Sequence, residues 1–516
     1  MTEHEVVDRA AQRLAAQIVA NAPQGWTGAV LNSKAGSMNG RYTLANGLPS
    51  PKGLPDCFGE LDELARAVRG SRGWRSVSLE LRCRPCGEYG LVAFSTTVTR
   101  EVGLSTHFQV VLDEDYRLPQ PGSRQQAGPA ENAGDPELAV ARLRTYLARR
   151  AALLGHQEPL APPVSAAALD EAERDLGRRL PADLRALYLI ADGQDEDQDH
   201  LFDGHSWLSL ESLVSLKDEF SERPWYGWNL EWDAVVYDTD PPGTVRRCGG
   251  HPAWLPFATR GDGNHLAVDL APAGNGRPGQ VIEIGRDYDD GPLHVAESVT
   301  ALLGHYLALL DQSAYQHDGD HLQLCDPAED SPREAIESEL PDPVPPTLQA
   351  LHLNDATSPV DLTPLAAAPR LRRLHLNRCS TTDLTPLHAL PVEALRITME
   401  TGDLTPLADH PHLASLDLGA TVPIDISPLR TVPNLRGLDL SRADVRNLTV
   451  LADLPGLRFL ALNRRQWALL LDRGKAPATL AAAQLTDADA SLGEALTWAA
   501  DLGLDTNEAI RITGTV

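Results

Sequence analysis

Val6, Ala10, Leu14 and Ile18 recur at four-residue steps with Val7 and Ala11 beside them, a spacing that predicts a helix burying one face. Pro23 and Gly25 end it. Residues 26–30 and 41–44 read as extended, ELDELARAV at 60–68 as helical, and SVSLELRC at 76–83 and GLVAFSTTV at 90–98 as alternating strands. Residues 1–118 are expected to form a small α+β domain. The run LPQPGSRQQAGPAENA that follows has no periodicity and is rich in Pro, Gly and Gln, the composition of a linker. Leu138, Leu143, Leu147 and Leu154 then share a segment with Arg142, Arg144, Arg149 and Arg150. In an acidic chain this reads as a connecting helix with solvated arginines, so 119–160 is assigned to linker and connector.

Ser165 is placed to cap a helix carrying Leu169, Ala172 and Leu176 that closes at Gly177, and Pro181 opens a second with Leu184, Leu187 and Tyr188. Further on, Leu266, Val268 and Leu270 alternate with Ala267 and Asp269, and VIEI follows after residues 271–279. Two strands about a Gly/Pro-rich turn are predicted. These elements and VAESVTALLGHYLALL at 295–310 define a second α+β domain, 161–313. Between Asp318 and Asp342 nine carboxylates (Asp318, Asp320, Asp326, Glu329, Asp330, Glu334, Glu337, Glu339, Asp342) meet only Arg333, so 314–343 is read as an extended acidic linker.

A repeat follows. LxxLxL-type segments begin at Leu348, Leu371, Val392, Leu413, Leu435 and Leu457, every 21 to 23 residues, the period of leucine-rich repeats. DLTPL at 361, 383 and 403, DISPL at 425 and NLTVL at 447 lie between them. Thr363 is expected to cap a short turn opening at Pro364, and its counterparts to do the same. The asparagine that usually follows the strand is present as Asn354, Asn377 and Asn463 and replaced by Thr398, Gly419 and Ser441, which weakens the side-chain ladder in the middle copies. Residues 344–465 are thus a solenoid, and 466–516, where the repeat is lost, a helical cap. The expected architecture is multidomain: two α+β domains followed by a leucine-rich repeat solenoid.

With 45 Lys plus Arg against 72 Asp plus Glu, the net charge of −27 argues against nucleic acid or anionic membrane as partner and favours a basic protein. The N-terminus lacks a basic-then-apolar leader and no long uncharged apolar run occurs; six scattered cysteines suit reduced thiols, so a cytoplasmic location is expected.

Candidate chemistry is sparse. GNGRPG at 274–279 matches GxGxxG but joins two strands and holds Pro278, whereas a dinucleotide loop opens a helix. Cys83 and Cys86 could form half a zinc site with Cys57 and His107, or be incidental thiols in a strand-turn-strand, and Cys248 with His251 raises the same question. Without a nucleophile elbow, Walker loop or HExxH, no cofactor, metal or catalytic residue is assigned and an enzyme is disfavoured. Two partner-binding candidates remain. One is the acidic loop Asp195, Glu196, Asp197 and Asp199, whose spacing does not fit an EF-hand. The other is the concave face of the repeats, where exposed positions read His352, Arg373 and His375, Arg396, Asp417, Asp439 and Phe459, basic first and acidic last.

SAAALDEAERDLGRRLPADLRALYLIADG, with Leu180–Pro181, Asp192–Gly193, Trp254–Leu255–Pro256–Phe257, GDGNHLAVDL, Gly279–Gln280–Val281 and the Ala296–Glu297–Ser298 start of the last helix, resembles the SUKH superfamily, the Smi/Knr-type domain. That resemblance implies helices on a β-sheet used for protein binding, and bacterial members are commonly immunity proteins against polymorphic toxins. The N-terminal pattern of helix, Gly25–Trp26, strand pair, helix and Trp74 leading to strands around Gly87 and Tyr89 resembles the YezG-like immunity family. Together these imply three adhesive modules acting as a non-enzymatic immunity protein on toxin domains, basic nucleases among them. The alternatives are a scaffold docking an endogenous partner through the repeats, or an enzyme with an unrecognised site in the first domain, which bound zinc or loss of activity on mutating Cys83 and Cys86 would reveal.

Overall fold

The computed structural model describes residues 3–34, 37–74, 77–95, 98–102, 106–113, 115–194, 200–220, 234–319, 321–326, 333–474, 476–487, 490, 492–506 and 509–516. The opening helix, Glu3–Ala20, buries Val7, Ala10, Ala11, Leu14 and Ile18, whereas Val6, which opens the predicted series, is exposed: the buried stripe is centred one residue later. With a second helix, Phe58–Arg72, it covers a sheet whose order is Ser37–Leu44, Trp26–Lys34, Val77–Cys83, Glu88–Ser95 and then Ile510–Thr515. The last strand comes from the other end of the chain. Ile510 pairs with Ala93 and Ile512 with Leu91, and both isoleucines are buried in the N-terminal core. Residues 466–516 are therefore no helical cap: helices Arg464–Leu471 and Leu492–Asp501 alternate with strands Ala482–Thr486 and Ile510–Thr515. The exchange is mutual, because Val98–Val102 and Thr106–Val111, assigned by sequence to the N-terminal domain, extend the repeat sheet. Thr106–Val111 lies antiparallel to Ala482–Thr486.

The helix Pro136–Leu154 is not a connector. Asp135 caps it by accepting from the Glu137 and Leu138 amides at 3.0 Å. Ala139, Leu143, Tyr146 and Leu154 enter the core that Ala182–Tyr188 and Val299–Asp311 also line. Arg150, expected in solvent, has a side chain 1% exposed with Nε 2.6 Å from Glu158 Oε1, itself 2% exposed. Positions 139, 143, 146, 150 and 154 fall on one helical face, so Arg150 is drawn inside and needs the carboxylate there. The preceding segment is docked too: the Gly128 and Ala133 amides donate to the carbonyls of Pro272 and Pro278 at 3.1 and 3.0 Å.

The middle sheet runs Leu293–Ala296, Gln280–Gly285, Asn264–Asp269, Trp254–Thr259 and Ser206–Trp207, every neighbour antiparallel. Val281 opposes Val268 across the predicted turn. One face puts Leu255, Leu266, Val268 and Val281 against the helices, while Phe220, Val245 and Cys248 cover Trp254, Ala267 and Ile282 on the other. Both faces are buried. The GxGxxG glycines serve the turn: a Cβ at Gly276 would stand 2.1 Å from the Thr244 carbonyl oxygen, and Gly279 has φ +91.

In the repeats each LxxLxL segment supplies one parallel strand: Ala350–Asn354, Arg373–Asn377, Ala394–Met399, Ser415–Ala420, Gly437–Asp439 and Phe459–Leu462, with Ala482–Thr486 next. Leu351, Leu374, Leu395, Leu416, Leu438 and Leu460 align across them and are buried. The connections are 3-10 turns, such as Thr363–Ala367. Their caps are the aspartates, not the threonines: Asp361, Asp383, Asp403 and Asp425 accept from the amides of Thr363, Thr385, Thr405 and Ser427 at 2.7 to 2.9 Å. A carboxylate two residues before the amide closes an Asx turn that a hydroxyl closes more weakly.

Where it is described, the acidic segment is not an extended linker; Asp320 and residues 327–332, with Glu329 and Asp330, lie outside the described residues. Tyr315–Asp318 and His321–Leu324 form a hairpin that buries Leu322 and Leu324 in the middle core, and Glu334–Glu337 is the first parallel strand of the repeat sheet.

Candidate partner-binding face

The parallel register gathers the sequence-selected residues on the repeat face into two rows. Ile336, His352, His375, Arg396, Asp417, Asp439, Ala461 and Gln484 stand opposite one another in turn. Arg373 and Phe459 belong to the adjacent row, with Ala350, Ala394 and Gly437, and Phe459, expected to be exposed, is 2% exposed and packs against Ala461 and Ala482.

Asp417 organises the centre. Its Oδ2 accepts from Arg396 Nε at 2.7 Å and its Oδ1 from Arg442 Nη2 at 2.6 Å. The carboxylate is 11% exposed while the two arginines are 37% and 44% exposed, so two half-open guanidinium groups are held in place from below. Arg396 Nη1 also reaches Asn377 Oδ1 at 3.4 Å, and Asn377 donates to Asn354 at 3.0 Å. Asp439 accepts from the Ser441 amide at 2.8 Å; burial, and then the negative charge of Asp417, pushes its pKa up to about 6. At the other end His352 and His375 meet edge to face with ring centroids 4.8 Å apart, and His352 Nε2 lies 3.1 Å from Glu334 Oε1. Burial, followed by the Arg396 charge, pulls the His375 pKa far down and keeps that ring neutral. Ile336, 69% exposed, adds an apolar side chain to the same row.

Arg373 is not open to an outside partner. Its guanidinium donates to Tyr237 Oη and Asp290 Oδ1 of the middle domain, both at 2.9 Å, and its side chain is 12% exposed. The same join holds Gln349, which exchanges two bonds with the Asp238 backbone (2.8 and 2.7 Å), and Glu393, which accepts from Arg247 and Arg372 at 2.6 and 2.7 Å. Val235 and Tyr237 pack on Ala350 and Ala394. Two of the three expected modules are thus one body. The acidic loop residues Asp195, Glu196, Asp197 and Asp199 lie outside the described residues.

Sequence reasoning missed Ile336, Glu334 and Arg442. The first two sit in a run of carboxylates that reads as linker, with only the Ile336 alternation as a signal; Arg442 lies past the strand, where no repeat position marks it. Among the described residues no group of three or more His, Cys, Asp or Glu side chains is placed to hold a metal ion. Cys83 is buried with its pKa pushed up to about 12 by desolvation, whereas Cys86 is exposed. Among the described residues no helix is long and apolar enough to cross a membrane.

Residues 163–305 match the SMI1 / KNR4 family (SUKH-1), so the middle of the chain is a domain of that kind. Similar curated proteins include the cell wall biosynthesis/cell cycle regulator smi1 of Schizosaccharomyces pombe, 33% identical over 130 residues (23% of this chain, 26% of that one). The glucan synthesis regulatory protein of Neurospora crassa is 29% identical over 152 residues (23% and 29%), and the cell wall assembly regulator SMI1 of Saccharomyces cerevisiae 27% identical over 161 residues (25% and 32%). The matches thus span less than a third of each relative's length. Among solved structures, two internalins of Listeria monocytogenes align at 26% and 30% identity, covering 25% and 23% of this chain and 41% and 52% of theirs, with TM-scores of 0.22 and 0.20.

Proposed function

We propose that the chain works without catalysis, by binding a protein partner through the repeat face. The observation that carries this reading is the pair Arg396 and Arg442, half-exposed and fixed by the mostly buried Asp417, with Ile336 exposed in the same row. Arginines already ordered lose little rotamer freedom on binding, and they and apolar anchors are the side chains on which interfaces concentrate energy. The net charge of −27 favours a basic partner at long range and sets association rate more than affinity.

The finer reading is immunity: the partner is a toxin domain whose working surface is covered. It is supported by the SUKH-1 match and the acidic charge, and the YezG-like resemblance of the first domain agrees with it. A second reading, a regulatory scaffold for an endogenous partner, is favoured by the names of the fungal relatives, which are regulators. Co-expression with any toxin domain found encoded beside the chain separates the two. Rescue of growth by wild type and its loss in Ile336→Asp and Arg396→Glu supports immunity; no neutralisation of any neighbouring toxin, with one constitutive partner retained by wild type and lost by both variants, supports the scaffold. If neither variant affects any binding, the repeat face is not the interface.

A further inference from the structure

The sheet of the first domain carries its helices on one face. Leu31, Leu81, Leu91 and Ile512 stand in register on the face that Glu3–Ala20 and Phe58–Arg72 cover, and all four are buried there. Side chains alternate along a strand, so the residues between them fall on the opposite face. Two rows of cross-strand neighbours result: Arg41, Val30, Arg82, Gly90 and Thr513, and beside them Asn39, Asn32, Glu80, Val92 and Arg511. One end of this face is the join with the repeats, where Phe94 enters the repeat core and Val92 packs against it. The other end is open: Arg41, Arg82, Arg511 and Thr513 are exposed.

The open end is positive on a chain whose net charge is −27. Among the described residues of the two rows three arginines meet one carboxylate, Glu80, which is 4% exposed and accepts from Arg82 Nε at 2.6 Å. That bond fixes Arg82 from below and leaves about half of its side chain in solvent, so it loses little rotamer freedom on binding. At the rim Arg84 and Glu88 offset each other at 3.3 Å. A Cβ at Gly90 would meet nothing within 4 Å, so the floor between Arg82 and Thr513 is an open trough. Strands lie about 4.8 Å apart and rise about 3.4 Å per residue, which puts the Arg41 and Arg82 backbones about 10 Å apart and those of Arg82 and Arg511 about 12 Å. Acidic residues about three or four positions apart in an extended chain have that spacing. Neither row holds an aromatic side chain, so a nucleic-acid base has nothing there to stack on.

We propose that this open half of the face binds an acidic segment of a protein partner, its carboxylates on Arg41, Arg82 and Arg511 and its backbone over Gly90. Carboxylates match the donor fork of arginine and form charge-assisted hydrogen bonds with it. At about 0.15 M salt charges are screened beyond about 8 Å, so the local arginines, not the net charge, govern contact. Arg511 comes from the C-terminal strand and Arg41 and Arg82 from the first domain, so the surface is complete only with that strand in place. It lies apart from the repeat face and does not depend on the partner proposed there.

Calorimetric titration of the full chain at about 0.15 M salt with deca-glutamate, a Gly/Ser peptide of the same length and decathymidylate tests it. The expected result is saturable binding of deca-glutamate that weakens as salt rises, weaker binding of decathymidylate and none of the Gly/Ser peptide. Reversing an exposed charge removes an attraction and adds a repulsion, so Arg41→Glu and Arg511→Glu should each weaken binding about fivefold. Gly90→Glu, which fills the trough with a carboxylate, should abolish it. Arg72→Glu, the same change of charge on the helix over the opposite face, should leave it within about twofold. Melting curves show which variants are folded, and any one folded variant of the face decides the matter. No saturable binding, decathymidylate bound as tightly as deca-glutamate, affinity unchanged in a folded variant of the face, or an equal loss in Arg72→Glu would overturn the proposal.

Discussion

The return of the C-terminal strand to the first domain can be broken at one side chain. Ile512 is 5% exposed and pairs with Leu91 on the neighbouring strand, while Arg511 beside it points to solvent. Truncating a buried isoleucine to alanine removes its transfer free energy and leaves a cavity, about 2–5 kcal/mol together. As Ile510–Thr515 is an edge strand held on one side only, that loss falls on its attachment to Glu88–Ser95 rather than on the whole chain. If local opening governs exchange, about 2–5 kcal/mol corresponds to amide exchange roughly 30 to 5,000 times faster. Hydrogen–deuterium exchange of peptides from Glu88–Ser95 reads this directly: Ile512→Ala should accelerate exchange there and leave the repeats unchanged, whereas Arg511→Ala should shift it by less than about 0.5 kcal/mol. Equal protection in a folded Ile512→Ala protein would refute the reasoning, since the strand would then not hold the sheet edge.

Two further outcomes are expected. Glu158→Gln leaves Arg150 as a buried cation without its carboxylate, which costs about 3–5 kcal/mol and should lower the melting temperature of the middle domain; a change under about 1 kcal/mol would mean the pair is not buried in solution. The second concerns acid. Asp361, Asp383, Asp403 and Asp425 have pKa values held below the usual carboxylate range, first by hydrogen bonds from the side chains of Thr363, Thr385, Thr405 and Ser427. A depressed folded pKa means stability present above about pH 4, the unfolded value, and lost as pH falls through the folded one. Asp269, raised to about 6 by burial, works in the opposite sense, gaining stability as pH falls from about 6 to about 4. Replacing the four capping aspartates with asparagine, which keeps the turn acceptor, should reduce the fall in Tm between about pH 5 and pH 3. An undiminished fall would show that these caps do not carry it.

The repeats and the middle hairpin were legible because their signals are local: a leucine at fixed phase every 21 to 23 residues, and Leu266 and Val268 alternating before a glycine turn. What failed is non-local. Ile510–Thr515 carries two isoleucines and no hint that its partner is Glu88–Ser95, and Thr106–Val111 reads as an ordinary strand of the domain before it. Arg150 was readable in principle, since it shares a helical face with Leu143, Tyr146 and Leu154, but its charge outweighed its phase. Which residues share the face was legible wherever the repeat supplies the register, as for His375, Arg396, Asp417 and Asp439, but their exposure was not, since His375 and Asp417 are each 8% exposed. Face residues were misjudged where another domain arrives, as at Arg373, because nothing in the strand announces Tyr237 and Asp290.

The central claim is that the repeat face binds protein through side chains fixed before the partner arrives. Calorimetric affinity of the co-purifying partner, or of a neutralised toxin domain, for wild type, Ile336→Asp, Arg396→Glu and Asp417→Asn tests it most directly. The first two should each lose at least about tenfold, near 1.4 kcal/mol, and Asp417→Asn should lose affinity through a more unfavourable entropy as Arg396 and Arg442 are freed. Affinity equal to wild type in all three would contradict it.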